Sequence, residues 1–172
     1  MAPWFLPLAY ALILLRANAG LPCVFFSDLY GSSGLAPHLP NHPVTVYPPP
    51  CGGGAIPRLM LARRLWAYGT QIDYLDGDDP RCIGFTRTGH PAQAGGAGLA
   101  VLMTSAWEYR SMRMFVGRRH AGERWTDVLR WCPGVVPIDA DGFGVFPVAC
   151  RSVSVWVSES APGRAAAESV AL

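Results

Sequence analysis

Hydrophobic positions recur with helical spacing at the start of the chain. Leu8, Leu12 and Leu15 would share one face of a helix that opens at Pro7 and ends before Gly20. The apolar run is well short of the roughly 20 residues that a membrane span needs. The pattern therefore predicts an N-terminal helix.

A short strand and a second helix are predicted downstream. Residues 23–26 are apolar at every position, which is typical of a strand buried on both faces. Residues 31–54 are dense in glycine, proline and serine and predict a long irregular loop. The next segment predicts a helix over 56–66, which Pro57 opens and Gly69 stops. The first third of the chain is thus helix, strand, helix.

After residue 68 the hydrophobic pattern changes to a period of two, with frequent turn signals. Such spacing is typical of an antiparallel sandwich. The predicted strands are 82–87, 99–104, 112–117, 125–129, 135–138, 144–148 and 152–157.

Three further expectations concern the end of this region. Asp141 and Gly142 predict a hairpin turn between strands 135–138 and 144–148. Strand 152–157 alternates serine with apolar residues, which predicts one solvated face. Residues 159–172 are expected to form a flexible tail.

Composition limits the classes of protein that the chain can represent. With 172 residues and 51% hydrophobic ones it can bury one core, and 19 glycines and 16 prolines argue against a helical bundle. A net charge of +2, with 14 arginines and no lysine, is too small to predict binding to nucleic acid or to a membrane surface. The five cysteines are widely spaced and odd in number, which favours free thiols over a disulfide framework.

The amino terminus allows two interpretations from its pattern alone. The run 6–15 followed by Ala17-Asn18-Ala19 is similar to a secretory signal peptide with its cleavage site. The absence of a basic residue before the run, the proline within it and Arg16 after it favour an ordinary helix.

The predicted order of elements is unusual for a complete protein. One strand between two helices has no partner with which to form a sheet. We therefore expect the first helix and strand 23–26 to have evolved against neighbours upstream, and to leave a large exposed apolar patch here.

Several segments, in order along the chain, carry a family resemblance. Together they make residues 3–158 resemble the α-amylases of glycoside hydrolase family 13, in the subgroup shared by liquefying bacilli and filamentous fungi. The segments are Trp4–Ala11 (WFLPLAYA), Pro22–Gly31 (PCVFFSDLYG), Leu61–Gly69 (LARRLWAYG), Asp73–Asp76 (DYLD), Arg113–Glu123 (RMFVGRRHAGE) and Ser152–Val157 (SVSVWV).

The resemblance implies a mostly β chain with an N-terminal α/β fragment. Residues 1–66, with loop 31–54, would be a helix-strand-helix remnant of the catalytic (β/α)₈ TIM barrel, and residues 67–158 the family's antiparallel Greek-key β-sandwich. The family's nucleophile, acid/base and stabilising carboxylates lie on earlier barrel strands and have no counterpart here. Retaining hydrolysis needs two carboxyl groups about 5 Å apart. We therefore assign no catalytic residue and no metal ligand.

The expected function follows from this placement. The chain would be the C-terminal part of an enzyme that hydrolyses internal α-1,4 links in starch or glycogen, inactive by itself, with α-1,4-glucan and the missing barrel portion as partners. The alternative is a non-catalytic sandwich that binds α-glucan or a protein. Calcium is a cofactor of the full-length family, but nothing in this chain supports it. The resemblance also argues against a signal peptide at the amino terminus. It favours a cytoplasmic location over secretion.

Acidic residues at two places invite a site interpretation. Asp28 follows the predicted barrel strand, where barrel enzymes place active-site groups, but we interpret it as a turn residue. A cluster of four acids could supply calcium ligands: Asp73, Asp76, Asp78 and Asp79. Their spacing does not fit an EF-hand. Some relatives in the resembling family also have an acid at a later position, and this chain has Ser105 there. Ordinary turn acids are favoured.

Histidine and tryptophan give the remaining candidates. His120 and Glu123 lack zinc spacing and predict a hydrogen bond within a loop. His38 and His42 have no partner pattern and receive no role. Four tryptophans could offer faces on which sugars stack, namely Trp107, Trp125, Trp131 and Trp156. Core positions are favoured for them overall, and most clearly for Trp125 and Trp156, which lie in apolar strands.

Overall fold

The structure, a computed structural model, describes residues 3–25, 28–29, 55–75 and 79–169. Helix α1 spans Leu6–Leu15, α2 spans Ala55–Leu65 and α3 spans Arg164–Ser169. Both predicted helices are confirmed: the second lies within one residue of its predicted bounds, and the first begins one residue early and ends at Leu15, ahead of the predicted stop before Gly20. Among the described residues, none of the helices has the length and apolar character needed to span a bilayer.

The strands follow the second helix. Each of the seven predicted strands is present, with shifts of at most two residues at its ends, and one further strand precedes them. The strands are β1 (Gln71–Tyr74), β2 (Cys82–Arg87), β3 (Leu99–Thr104), β4 (Arg110–Phe115), β5 (Arg124–Asp127), β6 (Val136–Pro137), β7 (Phe143–Val148) and β8 (Val153–Ser158).

The strands form two antiparallel sheets. The larger has the order β1-β2-β3-β8-β5-β6, and the smaller pairs β4 with β7. The chain leaves and re-enters the larger sheet twice, so that β8 inserts between β3 and β5 in a Greek-key manner. In the register, Val101 of β3 lies opposite Val155 of β8, and Met112 of β4 opposite Phe146 of β7. The predicted β-sandwich is confirmed.

Both faces of the central strands are buried. On one face of β3 and β8, Val101 and Val155 belong to a core that also contains residues of α1 and α2. On the other face, Leu102 and Trp156 belong to a second core shared with β4 and β7. The larger sheet is therefore the middle of three layers, with helices on one side and the small sheet on the other.

Helix α1 is covered rather than exposed. Leu8, Ala11, Leu14 and Leu15 are at most 3% exposed, because the helix packs against α2 and against the sheet. The Nη1 group of Arg63 also donates to the carbonyl of Leu14 at 2.5 Å. The prediction of an exposed apolar patch on this helix is wrong. The periodicity of the sequence does not show that the sheet has a second apolar face, against which the helix packs.

The predicted strand 23–26 is not formed in its described part. Residues 22–25 have no strand pairing, and the side chain of Phe25 is 69% exposed. An isolated apolar segment does not form a strand, because no neighbouring strand is present to accept and donate its backbone hydrogen bonds. Loop 31–54 lies outside the described residues, as do Cys51, His38 and His42.

Three expectations about the C-terminal third are also corrected. Every residue of β8 is buried, so its serine face is not solvated: Ser154 donates from Oγ to the carbonyl of Pro147 at 2.8 Å. The Asp141–Gly142 turn forms, with Gly142 at a φ of 86°, but it connects strands of different sheets rather than a hairpin. Residues 159–169 are folded, since they include α3 and the carbonyl of Pro162 accepts a hydrogen bond from Trp66 at 3.0 Å.

Candidate functional site

Trp107 is the most exposed of the candidate sugar-stacking residues. It lies in the connection between β3 and β4 with 73% of its surface exposed. The guanidinium carbon of Arg151 lies 4.2 Å from the centre of one of its rings and 4.1 Å from a ring of Trp4. Arg151 is thus held between two indoles, and this cation–π contact fixes one face of Trp107.

The other tryptophans have different surroundings. Trp125 and Trp156 are fully buried in the sandwich core, as predicted, and each lies against the ring of Phe146. Trp131 is partly buried against the core beneath the helices. Of these four residues, Trp107 alone retains a largely exposed aromatic ring.

His120 and Glu123 form the predicted hydrogen bond within a loop. The Nδ1 atom of His120 lies 3.0 Å from Oε2 of Glu123, and the indole of Trp125 donates to the same oxygen at 2.9 Å. The imidazole is buried and its Nε2 atom lies 3.3 Å from the carbonyl of Thr88. The arrangement joins the loop to the sandwich core.

Asp127 is a buried carboxylate that sequence reasoning missed. Its Oδ1 accepts hydrogen bonds from the backbone N–H groups of Leu129 and Val155, and its Oδ2 from those of Trp131 and Cys132, at 2.9–3.1 Å. Burial raises the pKa of Asp127 to about 6, and the four N–H donors oppose that rise. Through these hydrogen bonds the carboxylate stabilises the turn after β5 and connects that turn to β8.

Asp28 has a local partner. Its Oδ2 accepts a hydrogen bond from the hydroxyl of Tyr10 in α1 at 2.6 Å, and the same hydroxyl accepts from the N–H of Phe25. The hydrogen bonds connect the segment after α1 back to that helix.

The described acids near β1 are engaged by arginine. Asp73 lies in β1, not in the acidic turn predicted for it, and pairs with Arg16 at 2.8 Å. Asp79 accepts hydrogen bonds from Arg81 and Arg110 at 2.9–3.0 Å. Hydrogen bonds from Arg81, and then from Arg110, hold the pKa of Asp79 well below its usual value.

This arrangement does not suit a calcium ion. Guanidinium groups occupy the carboxylate oxygens that a cation would need and add positive charge beside them. Ser105 uses its N–H to donate to the carbonyl of Arg81. Asp76 and Asp78 lie outside the described residues, and within the described ones no group of three or more acids, histidines and cysteines converges as metal ligands.

A cavity of about 440 Å³ lies where the C-terminal end of α1 meets α2 and the start of the sheet. We refer to it as the arginine pocket, because four guanidinium side chains line it together with Tyr68 and the turn 17–20; they belong to Arg16, Arg63, Arg64 and Arg87. The sequence offered one signal for it, the Arg63-Arg64 pair at the end of a predicted helix. Arg16 and Arg87 join that pair only through the packing of α1 and β2.

Comparison with curated proteins identifies sequence relatives. The chain is 44% identical over 155 residues to an α-amylase of Geobacillus stearothermophilus, covering 90% of this chain and 25% of that protein. It is 42% identical over 156 residues to a glucan 1,4-α-maltohexaosidase of Bacillus sp. (strain 707), covering 91% and 27%. It is 35% identical over 163 residues to a cytoplasmic α-amylase of Escherichia coli (strain K12), covering 91% and 30%.

The chain thus spans between a quarter and a third of the length of these relatives. Among solved structures, a γ-CGTase from alkalophilic Bacillus clarkii is similar with a TM-score of 0.44 and 19% identity, over 63% of this chain and 16% of that one. An Anoxybacillus α-amylase is similar with a TM-score of 0.41 and 14% identity, over 66% and 24%. No protein-family model matches the chain. On the evidence of its sequence relatives, the chain corresponds to a fragment of an α-amylase of glycoside hydrolase family 13.

Proposed function

We propose that the chain serves an α-amylase as its C-terminal β-sandwich together with the last helices of the catalytic barrel. The observation that carries this proposal is the single core shared by α1, α2 and the larger sheet. In this arrangement the sandwich fixes the position of the barrel's final helices. The missing barrel portion is then the protein partner, and α-1,4-glucan is the substrate of the assembled enzyme.

The described carboxylates support the view that this chain contributes no catalytic pair. Asp79 and Glu108 come together on Arg110, which lies 2.9 Å from an oxygen of each. The guanidinium groups of Arg81 and Arg110 lower the pKa of Asp79 and keep it ionised, whereas a retaining hydrolase needs one of its two carboxyl groups as a proton donor. Asp127 is fastened to four backbone N–H groups and has no access to a sugar.

The test is hydrolysis of soluble starch by the purified chain, measured as reducing ends released. We expect no release above a heat-treated control. If the chain alone releases reducing ends and Asp79→Asn or Glu108→Gln abolishes that activity, the proposal is wrong, because these acids would then be catalytic.

A second candidate function is non-catalytic binding of α-glucan at Trp107. The exposed indole, fixed from behind by Arg151, offers a flat apolar surface of the type on which sugar rings stack. Glu108, the next residue along the chain, has an exposed carboxylate that offers oxygens to sugar hydroxyls. This candidate concerns the same substrate class as the first and does not require catalysis.

Retention on insoluble starch tests this candidate. We expect Trp107→Ala to lower the retained fraction and Trp107→Phe to preserve much of it, since phenylalanine keeps an aromatic face. Trp131→Ala is the matched control, because Trp131 is partly buried beneath the helices. Retention that survives Trp107→Ala would refute the aromatic platform and leave the first proposal intact.

A further inference from the structure

The arginine pocket contains more positive charge than the described residues around it neutralise. Of its four arginines, Arg16 pairs with Asp73 at 2.8 Å, and no other acidic side chain in the described ranges lies within ion-pair distance of the four. The C-terminal end of α1 adds about half a negative charge. Within the described residues, the pocket therefore retains about two and a half positive charges.

Two of the arginines are held in place by backbone carbonyls. Arg63 donates to the carbonyl of Leu14, while Arg87 donates to those of Leu15 and Gly69 at 3.1–3.3 Å. Burial and the neighbouring charge of Arg63 lower the pKa of Arg87. Like charges are thus fixed side by side, an arrangement that a bound anion would relieve.

Free donors remain at the pocket. The Nε group of Arg16 is buried and makes no hydrogen bond in the structure. Within the described residues, the guanidinium of Arg64 makes neither a hydrogen bond nor an ion pair, and its side chain lines the cavity from the exposed side of α2. Unused donors of buried groups are costly unless a ligand or water satisfies them.

We propose that the arginine pocket binds a phosphate group, either inorganic phosphate or the monoester of a small sugar. Arginine forks suit the several oxygens of a phosphate, and the cavity brings together guanidinium groups from the residue after α1, from α2 and from β2. The volume of about 440 Å³ lies in the range of small-molecule pockets and has room for a sugar ring beside the phosphate. This proposal is independent of starch hydrolysis and of Trp107.

Isothermal titration calorimetry of the whole chain provides the test, with ionic strength held constant by sodium chloride. We expect saturable binding of one inorganic phosphate per chain and no heat from glucose. Tighter binding of glucose 6-phosphate would identify the sugar monoester as the preferred form, and equal or weaker binding the inorganic anion.

Two charge-matched variants make the test specific. Arg64→Gln removes one lining guanidinium without breaking a side-chain hydrogen bond, and we expect it to weaken binding about 3- to 10-fold. Arg118→Gln removes the same charge from a side chain outside the pocket that is 78% exposed, and we expect no change. Circular dichroism of both variants confirms folding. Absence of saturable binding, or an equal loss in both variants, would overturn the proposal, because equal loss indicates attraction by net charge alone.

Discussion

The two faces of the larger sheet are built from different side chains. The helix-covered face is mainly aliphatic and is made of alternate valines and leucines of β3 and β8, packed on the leucines of α1 and α2. The opposite face contains the aromatic cluster of Trp125, Phe146 and Trp156. Both faces are equally dry, although the sequence suggested that one of them meets solvent.

The difference shows how the two halves of the chain are joined. Aliphatic side chains pack the helices onto the sheet, while aromatic rings fill the space between the two sheets. Because the aliphatic face is completed by α1 and α2, the N-terminal helices and the sandwich are expected to fold and unfold together.

The largest effect should come from a charge placed on the helix-covered face. We expect Val101→Asp to destabilise the protein by about 5 kcal/mol, since an unpaired carboxylate would be buried between β3 and the helices. Val145→Asp is the control, because Val145 is 55% exposed on β7. Soluble yield and urea denaturation measure the difference. A well-folded Val101→Asp protein would mean that the helices do not cover the sheet.

Truncations on the two faces should weaken one common transition. We expect Phe146→Ala to cost about 3–5 kcal/mol and Leu59→Ala about 2–5 kcal/mol, because both side chains are fully buried and leave cavities. Equilibrium urea denaturation should show a single shifted midpoint for each variant. An early, separate loss of helical signal in Leu59→Ala would indicate that the two halves unfold independently.

Asp127 connects the two faces through the turn after β5. In Asp127→Asn the amide nitrogen would face two backbone N–H donors, so we expect a loss of about 2–4 kcal/mol at neutral pH. Asp141→Asn is the control, since Asp141 is exposed and makes one long contact with Arg118. Thermal denaturation of both variants measures the loss, and equal melting temperatures would contradict the assigned role.

The smallest effect concerns Asp79, which lies just before β2. Its pKa is lower in the folded chain than in the unfolded one, so its contribution to stability is present above about pH 4 and is lost as the pH falls further. We expect Asp79→Asn to reduce the acid dependence of the urea midpoint between pH 5 and 3, relative to the unmodified chain. An unchanged acid dependence would show that the two arginine contacts add nothing.

Sequence patterns predicted the sandwich well because alternation along a strand is local information. Strands β2 and β3 begin and end where the pattern placed them. Strand β1 was missed, because Asp73 within it was interpreted as part of an acidic turn. The Asp141–Gly142 turn was predicted correctly, but its flanking strands belong to different sheets. Which strands pair depends on contacts between distant residues, and a local turn signal does not predict those contacts.

The candidate sites depended more heavily on the tertiary structure. Trp107 could be named as a sugar-stacking residue from its type, but its exposure and the support of Arg151 follow from the meeting of two turns with Trp4. The arginine pocket draws on residues up to 71 positions apart, Arg16 and Arg87, which no spacing rule connects. Asp127 was not singled out from the sequence, because its four N–H partners come from the following turn and from β8.

The sequence by itself determined the two long helices, seven of the eight strands and, through its motifs, the resemblance to a fragment of an α-amylase. These features rest on periodicity and on residue order, which are properties of the chain alone. The tertiary structure decided that α1 is buried, that the serines of β8 are dry and that four arginines share a cavity. Each of these depends on which surfaces meet, and burial changes the free energy of a side chain only once its neighbours are in place.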